Sequence, residues 1–364
     1  MKIKDINAAI DAWAPPELQE EYDNSGLQVG DPDAEVRAAL VCLDCTEAVV
    51  AEAKVKGCDL IISHHPVIFK GLKGLTGRDL VERTVLAAIR NGIAILSIHT
   101  NLDNVIDGVN GEIAARMDLK PVRVLDPKPG QLIKLVVLVP RDHAEAVRNA
   151  LFAAGAGHIG NYAECSFNTE GTGTFLGGEG AKPFVGRPGE RHHEPEVRVE
   201  VIFRAPARTA ILAAMRSHHP YEEVAHDLVP LLNTDPSIGS GLLAEWDEPH
   251  LEATFLARLK DVFGLKAVRH SALLGKPIRR VAICGGSGAF LLAKAKALGA
   301  DAFITGDLKY HQYFDADGKL LLVDIGHYGS EQYTMHLIQR KLGHVLPTFA
   351  VRLTEIVTDP IYLS

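Results

Sequence analysis

Three short segments gather side chains able to bind metal or move protons, and each follows a run of apolar, β-favouring residues. In Asp59–Pro66 (DLIISHHP) the run stops at His64, His65 and a proline. Ile93–Ile98 runs into His99-Thr100-Asn101-Leu102-Asp103, and Leu320–Asp324 into Ile325-Gly326-His327-Tyr328-Gly329-Ser330-Glu331. Neutral imidazole is the commonest metal ligand and the usual acid/base near pH 7, and a carboxylate oxygen can bridge two divalent ions. Successive side chains of a strand point opposite ways, so His64 and His65 suit two ions, or a bridged pair, better than one tetrahedral ion. His327 and Glu331 are four apart and lie on one face of a helix. Each segment alone has an ordinary reading: one bonded and one exposed histidine, an Asp103 helix cap, an exposed His–Glu pair. Three strand ends delivering three imidazoles and two carboxylates together make a set sufficient for two ions sharing a water.

Other segments carry less. Cys284-Gly285-Gly286-Ser287-Gly288 follows a strand and opens a helix, where free backbone N–H groups could hold an anion; it lacks the lysine of a P-loop, and a plain tight turn competes. Thr305-Gly306-Asp307-Leu308-Lys309-Tyr310-His311 places Asp307 and His311 four apart after another strand, and support of a ligand or proton transfer competes there with surface capping. His218-His219-Pro220-Tyr221-Glu222-Glu223 reads as structural or allosteric, and His192–His193 as a solvated pair in an exposed loop, Gly177–Glu196.

The elements that position these residues follow from periodicity and breakers. Val36–Leu43, Asp59–Ser63 and Ile93–Ile98 read as strands, alternating with helices Glu47–Lys56, Asp79–Arg90 and Val109–Met117. Such alternation means a parallel sheet with helices on its faces, and in open α/β sheets ligands bind at the carboxyl ends of the strands. The pattern returns after residue 250, with strands Arg280–Cys284, Ala302–Thr305 and Leu320–Asp324 and helices Leu251–Phe263, Ala289–Leu298 and Ser330–Leu342. Between them the texture is α+β: strand Lys134–Val139, helix Ala144–Ala154, a hairpin of Tyr162–Phe167 with Gly173–Leu176, strand Val197–Phe203, helix Arg208–Ser217 and strand Val224–Leu231. That order is ferredoxin-like. The expected fold is therefore one split, two-lobed α/β domain, residues 1–127 and 241–364, interrupted by an α+β insert, residues 128–240. If His64, Asp103, His327 and Glu331 share a site, the flanking stretches are expected to complete one sheet.

Composition narrows the function classes. Of 364 residues, 47% are hydrophobic and 23% charged, as in a globular protein. No apolar run is long enough to span a bilayer and no leader pattern opens the chain, so the expected location is cytoplasmic. With 38 basic against 46 acidic residues, net −8, and no basic stripe, nucleic acid is a poor partner. The five cysteines form no CxxC pair and read as reduced core thiols.

The motifs SHHP, HTNLD, GGSG, TGDLKYH and DIGHYGSE, in that order around an insert containing HPYEE, resemble the Nif-three-like dinuclear-metal-centre proteins, also named GTP cyclohydrolase type-2 homologues. The resemblance spans nearly the whole chain. It implies a toroidal homohexamer, a central insert similar to PII/CutA-like domains, and two divalent ions per subunit, with Zn, Fe or Mn foremost. The implied ligands are His64, His65, Asp103, His327 and Glu331. Two activities are compatible with such a centre. One is a metal-dependent hydrolase of a nucleotide-like or other small heterocycle, with His99 or His311 as proton donor. The other is a non-catalytic metal-binding or small-molecule-sensing assembly.

Overall fold

The computed structural model describes residues 1–362 and divides into two compact units, 1–127 together with 236–362, and 128–235. Residues 236–240 lie with the larger unit, because Gly239 already pairs with Pro127 and Ile238 bridges to Val105.

The larger unit holds two sheets where one continuous sheet was expected. The first comprises β1 (Gly26–Val29), β2 (Ala38–Cys42), β3 (Leu60–Ser63), β4 (Ala94–Ser97) and, from the far end of the chain, β15 (Ala350–Leu353), in the order β1-β4-β3-β2-β15. The second comprises β5 (Lys120–Pro127), β10 (Gly239–His250), β11 (Arg269–His270), β12 (Ile278–Ile283), β13 (Ala302–Thr305) and β14 (Leu321–Asp324), in the order β11-β14-β13-β12-β10-β5. The chain exchanges one strand each way: β15 joins the amino-terminal sheet and β5 the carboxyl-terminal one. Both sheets are parallel at their centres, β2-β3-β4 and β12-β13-β14. Those strands are buried throughout except for exposed Arg279 and partly buried Arg280 near the start of β12, as strands covered on both faces must be.

One apolar cluster fills the space between the sheets. It joins Val41, Ile62 and Leu96 to Ile283, Ile304 and Val323 through side chains of helices Ile3–Asp11, Val109–Arg116, Glu252–Val262 and Thr334–Val345. Separate clusters cover the outer faces. The outer helices of the first sheet begin at side-chain caps: Thr46 accepts from Val49 N and Asp79 from Glu82 N, each worth about 1 kcal/mol. Two expected helices are broken. Ala289–Leu298 opens with a 3-10 turn, Ala289–Leu291, before Leu292–Ala297. The segment after β14 forms a short helix, His327–Glu331, and a second, Thr334–Val345.

The second unit contains β6 (Leu132–Pro140), β7 (Phe167–Leu176), β8 (Arg191–Arg204) and β9 (His226–Pro230), with helices Ala144–Ala153 and Arg208–His218. Its fully antiparallel order, β7-β8-β6-β9, is the ferredoxin-like one. Two expectations need correction here. The Tyr162–Leu176 hairpin is instead one ten-residue strand, and the loop Gly177–Glu196 becomes strand from Arg191 onward, pairing Leu176↔Arg191 through Phe167↔Glu200. Exposed, glycine-bearing β7 lacks the apolar alternation that would have revealed it. The five cysteines are all free thiols, four buried and Cys165 partly so. No helix among the described residues is long and apolar enough to cross a membrane.

Candidate metal centre

Register brings the ligand-bearing strand ends level. Cys42, Ser63 and Ser97 are neighbours across β2, β3 and β4, and the buried Ser63 and Ser97 hydroxyls hydrogen-bond at 2.8 Å. Backbone pairing continues one step further: His64 N donates to Cys42 O, His65 N to Leu43 O, and Ile98 N to Ser63 O. On the other sheet Thr305 and Asp324 are level at the ends of β13 and β14, just before His327 and Glu331.

The carboxylate of Glu331, almost fully buried, is the hub. Its Oε2 lies 3.0 Å from both His65 Nε2 and His327 Nε2, and 3.9 Å from His64 Nε2. His64 Nε2 is also 3.7 Å from Asp103 Oδ1, and the His65 and His327 Nε2 atoms are 3.3 Å apart. All five residues read from the sequence as ligands thus converge. Two overlapping groups could hold a metal ion, His65 with His327 and Glu331, and His64 with His65 and His99; Asp103 closes the latter from the side of His64.

Each imidazole has its Nδ1 committed elsewhere. His64 Nδ1 donates to Ile98 O at 2.9 Å, His65 Nδ1 to Asp44 Oδ1 at 2.7 Å, and His327 Nδ1 to Asp307 Oδ2 at 2.7 Å. With the proton on Nδ1, a neutral ring turns its Nε2 lone pair toward the carboxylates, the arrangement that a metal-bound histidine adopts. The decisive feature is what faces these lone pairs. His64 Nε2 and Asp103 Oδ1 are shut off from solvent and have no hydrogen-bond partner. Both are acceptors, and no donor stands between them. A buried unpaired acceptor costs about 1–3 kcal/mol, so two that converge with Glu331 fit a cation.

The electrostatics agree. Burial pushes the His64 imidazole down to about 3, so it does not protonate to satisfy its neighbours. Burial and the nearby Glu331 charge push the Asp103 carboxyl up to about 7. Burial would raise Glu331 too, yet hydrogen bonds from His327 and His65 hold it far below the usual carboxylate range. Burial opposes charge on His65, but Asp44 and Glu331 carry its imidazolium up to about 10; bonding to Glu331 carries His327 to about 9. Without metal, protons on these two rings balance Glu331. A cation would displace them.

His99 stands beside the cluster, its ring centroid 5.3 Å from those of both His64 and His65. Its Nδ1 donates to Asp23 Oδ1 at 2.8 Å, and buried Asp23 also accepts from Thr100 N and Ser25 Oγ. His311 is not brought to the cluster. It is exposed on the 3-10 segment Tyr310–Ala316, against the rings of Tyr310 and Phe314. The glycine loop fits the tight-turn reading, because its three glycine amides bond within the fold: Gly285 N on Asn110 Oδ1, Gly286 N on Ser330 Oγ, Gly288 N on Thr305 Oγ1. Its role is close approach. A Cβ at Gly286, where φ is +61°, would stand 2.5 Å from Glu331 Oε1. In the insert, buried His219 is fully bonded, to Leu138 O and Tyr221 N, and is structural.

Sequence reasoning missed Asp44 and Asp23. Asp44 follows the end of β2 as His64 follows β3, so the same strand-end logic could have found it. Asp23 lies in an irregular stretch before β1 and has no local signal.

The centre opens on two sides. One cavity, about 510 Å³, is lined by Asp103, His99, Tyr22, Ser287 and Phe290 among others. The other, about 450 Å³, is lined by His65, Asp44, Phe69, Tyr328 and Ile361 among others. His99 and His327 border both.

A split α/β unit with a ferredoxin-like insert and histidine–carboxylate groups able to hold metal is the class that this fold and site define. A family model described as Duf34/NIF3 (NGG1p interacting factor 3) matches residues 1–360, and the chain belongs to that family. It is 40% identical over 352 residues to the "GTP cyclohydrolase 1 type 2 homolog" of Halalkalibacterium halodurans, covering 95% of this chain and 94% of that one. A protein of the same name from Mycobacterium tuberculosis is 38% identical over 375 residues, covering 99% and 96%. Among solved structures, a Bacillus cereus protein related to NIF3 superposes with a TM-score of 0.88 at 36% identity, over 100% of this chain and 99% of that one.

Proposed function

We propose that this protein binds two divalent ions, one at His64, Asp103 and Glu331 and one at His65, His327 and Glu331, and hydrolyses a nucleotide-like or other small heterocyclic substrate. The observation that carries the metal assignment is the buried, donorless pair His64 Nε2 and Asp103 Oδ1. The two openings give a small molecule access to the ion positions, which favours catalysis over a purely structural centre. Ions bound here supply Lewis acidity and lower the pKa of water toward neutrality. The chain's own groups do the rest. Asp44 and Asp307 fix the rings of His65 and His327, and the peptide carbonyl of Ile98 fixes that of His64. Asp23 holds His99 so that its Nε2 can pass a proton to the leaving group. His311, exposed and away from the cluster, has no part in this scheme.

Elemental analysis tests the reading. Wild type is expected to load two ions per chain and an Asp103→Asn/Glu331→Gln variant fewer than one. His99→Gln is expected to keep its metal while turnover of a heterocycle panel falls about 10²–10⁴-fold, the usual contribution of a positioned acid or base. One ion or none in wild type refutes the assignment, and loss of metal in His99→Gln makes that histidine a ligand. The toroidal homohexamer that the resemblance implies belongs to the same proposal, whereas a sensing insert belongs to the alternative, non-catalytic assembly. Light scattering is expected to return six times the mass of the chain.

A further inference from the structure

A hydrolytic dinuclear centre is compatible with many substrates, and the charge around this one narrows them. No lysine or arginine lines either cavity. Five carboxylates surround the ion positions directly or through histidine: Asp103, Glu331, Asp44, Asp307 and Asp23. Two divalent ions bring four positive charges, so with neutral imidazoles the loaded centre still carries one net negative charge. The larger cavity adds Glu20 and Asp126 to its wall, and the smaller adds Asp359. Asp126 of the larger cavity's wall pairs with Lys294 at 2.9 Å. The loop that could have offered amides to an anion has spent its glycine N–H groups internally.

A polyphosphate chain entering here could place one oxyanion on the ions; its remaining charges would meet carboxylates with no arginine or lysine in either lining. A cleft lined by one sign of charge lowers the local concentration of ligands of that sign. What the larger cavity does offer is acceptors and rings. Asp103 and the exposed Ser287 hydroxyl suit amino and hydroxyl groups. Tyr22 and Phe290, 66% and 67% exposed, stand in its lining as surfaces for a flat ring. Its volume of about 510 Å³ is in the usual range for small-molecule sites.

Resting on the hydrolase reading, we propose that the substrate is a phosphate-free heterocycle of nucleoside size, neutral or cationic, and that a nucleoside triphosphate is excluded by charge. Guanosine and GTP differ only in the triphosphate and therefore make the direct probe. Titration calorimetry is run on the full-length, metal-loaded protein with excess free Mg²⁺ to saturate chelation by GTP, and metal content is measured before and after. Guanosine is expected to bind saturably and at least about tenfold more tightly than GTP, with the gap narrowing as salt screens the repulsion. Phe290→Ala is expected to weaken guanosine about tenfold with metal content unchanged. Tighter binding of GTP at full metal content, or no saturable binding of guanosine, overturns this proposal alone. A chain that takes up no metal overturns the hydrolase reading and this proposal with it.

Discussion

Replacing Asp103 by asparagine is expected to stabilise the metal-free protein while weakening its hold on metal. Without an ion, the Asp103 carboxyl titrates at about 7 in the folded chain, against 3.8 for a free aspartate, because burial and the charge of Glu331 disfavour its ionised form. At 1.36 kcal/mol per pH unit, the ionised group destabilises the metal-free fold by up to ~4 kcal/mol. The side chain is 28% exposed, and solvent screening brings the expected effect to roughly 2–3 kcal/mol. The sign follows from the raised folded-state value. Below about pH 4 the group is protonated in both states and costs nothing; between 4 and 7 the penalty grows as pH rises; above 7 it is constant. Asparagine keeps the shape and removes the charge. Urea unfolding of chelator-treated protein at pH 8 is expected to show the variant more stable by about 2–3 kcal/mol, with the gap closing as pH approaches 4. In excess Zn²⁺ the order reverses, because the wild type binds the ion more tightly and gains more from it. A metal-free variant less stable than wild type at pH 8, or a difference independent of pH, refutes the account of Asp103 as a strained ligand.

Asp44→Asn weakens the charge-assisted bond that orients His65, so chelator competition is expected to show metal affinity falling about 10–100-fold. Asp307→Asn is expected to do less, since Asp307 and His327 are 44% and 37% exposed against 38% and 20% for Asp44 and His65; equal effects would argue against orientation as the mechanism. Gly286→Ala drives a methyl to 2.5 Å from Glu331 Oε1, whereas Gly318→Ala, at a similar φ of +62°, meets nothing within 4 Å. Both variants bear the left-handed backbone cost of about 1 kcal/mol, and only Gly286→Ala is expected to lose metal in elemental analysis with its far-ultraviolet circular dichroism intact.

The glycine loop shows why a motif can be visible while the choice between its two readings, anion holder or tight turn, needs the fold. Strand, glycines and helix start were all legible, but whether Gly285, Gly286 and Gly288 N–H groups were free depended on Asn110, Ser330 and Thr305, residues up to 175 positions away. His311 needed the fold too. Its spacing from Asp307 was that of a helical face, but Asp307 has a positive φ of 56° and the 3-10 segment begins only at Tyr310, so helical spacing does not apply across Asp307–His311.

What the residues alone determined was local: which apolar runs are strands, where they end, and which side chains stand at those ends. Leu-Ile-Ile-Ser and Ala-Ile-Leu-Ser are short apolar runs of the kind that strands covered on both faces require, and the four-residue spacing of His327 and Glu331 needs only one helical turn. Tertiary structure decided which ends meet. The pairing of β15 with β2 and of β5 with β10 splits the larger unit into two sheets with one apolar layer between them. Only that layer brings Glu331 to within 3.0 Å of His65, 266 residues away. Such long-range closure is set by the sum of many buried contacts, so it leaves no mark in the spacing of either partner. Of the carboxylates behind the rings, Asp44 stands just past the end of β2, where strand-end logic reaches it, whereas Asp23 was hidden for the same reason: its hydrogen bond to His99 is a property of packing, and a single aspartate in an irregular stretch carries no sign of it.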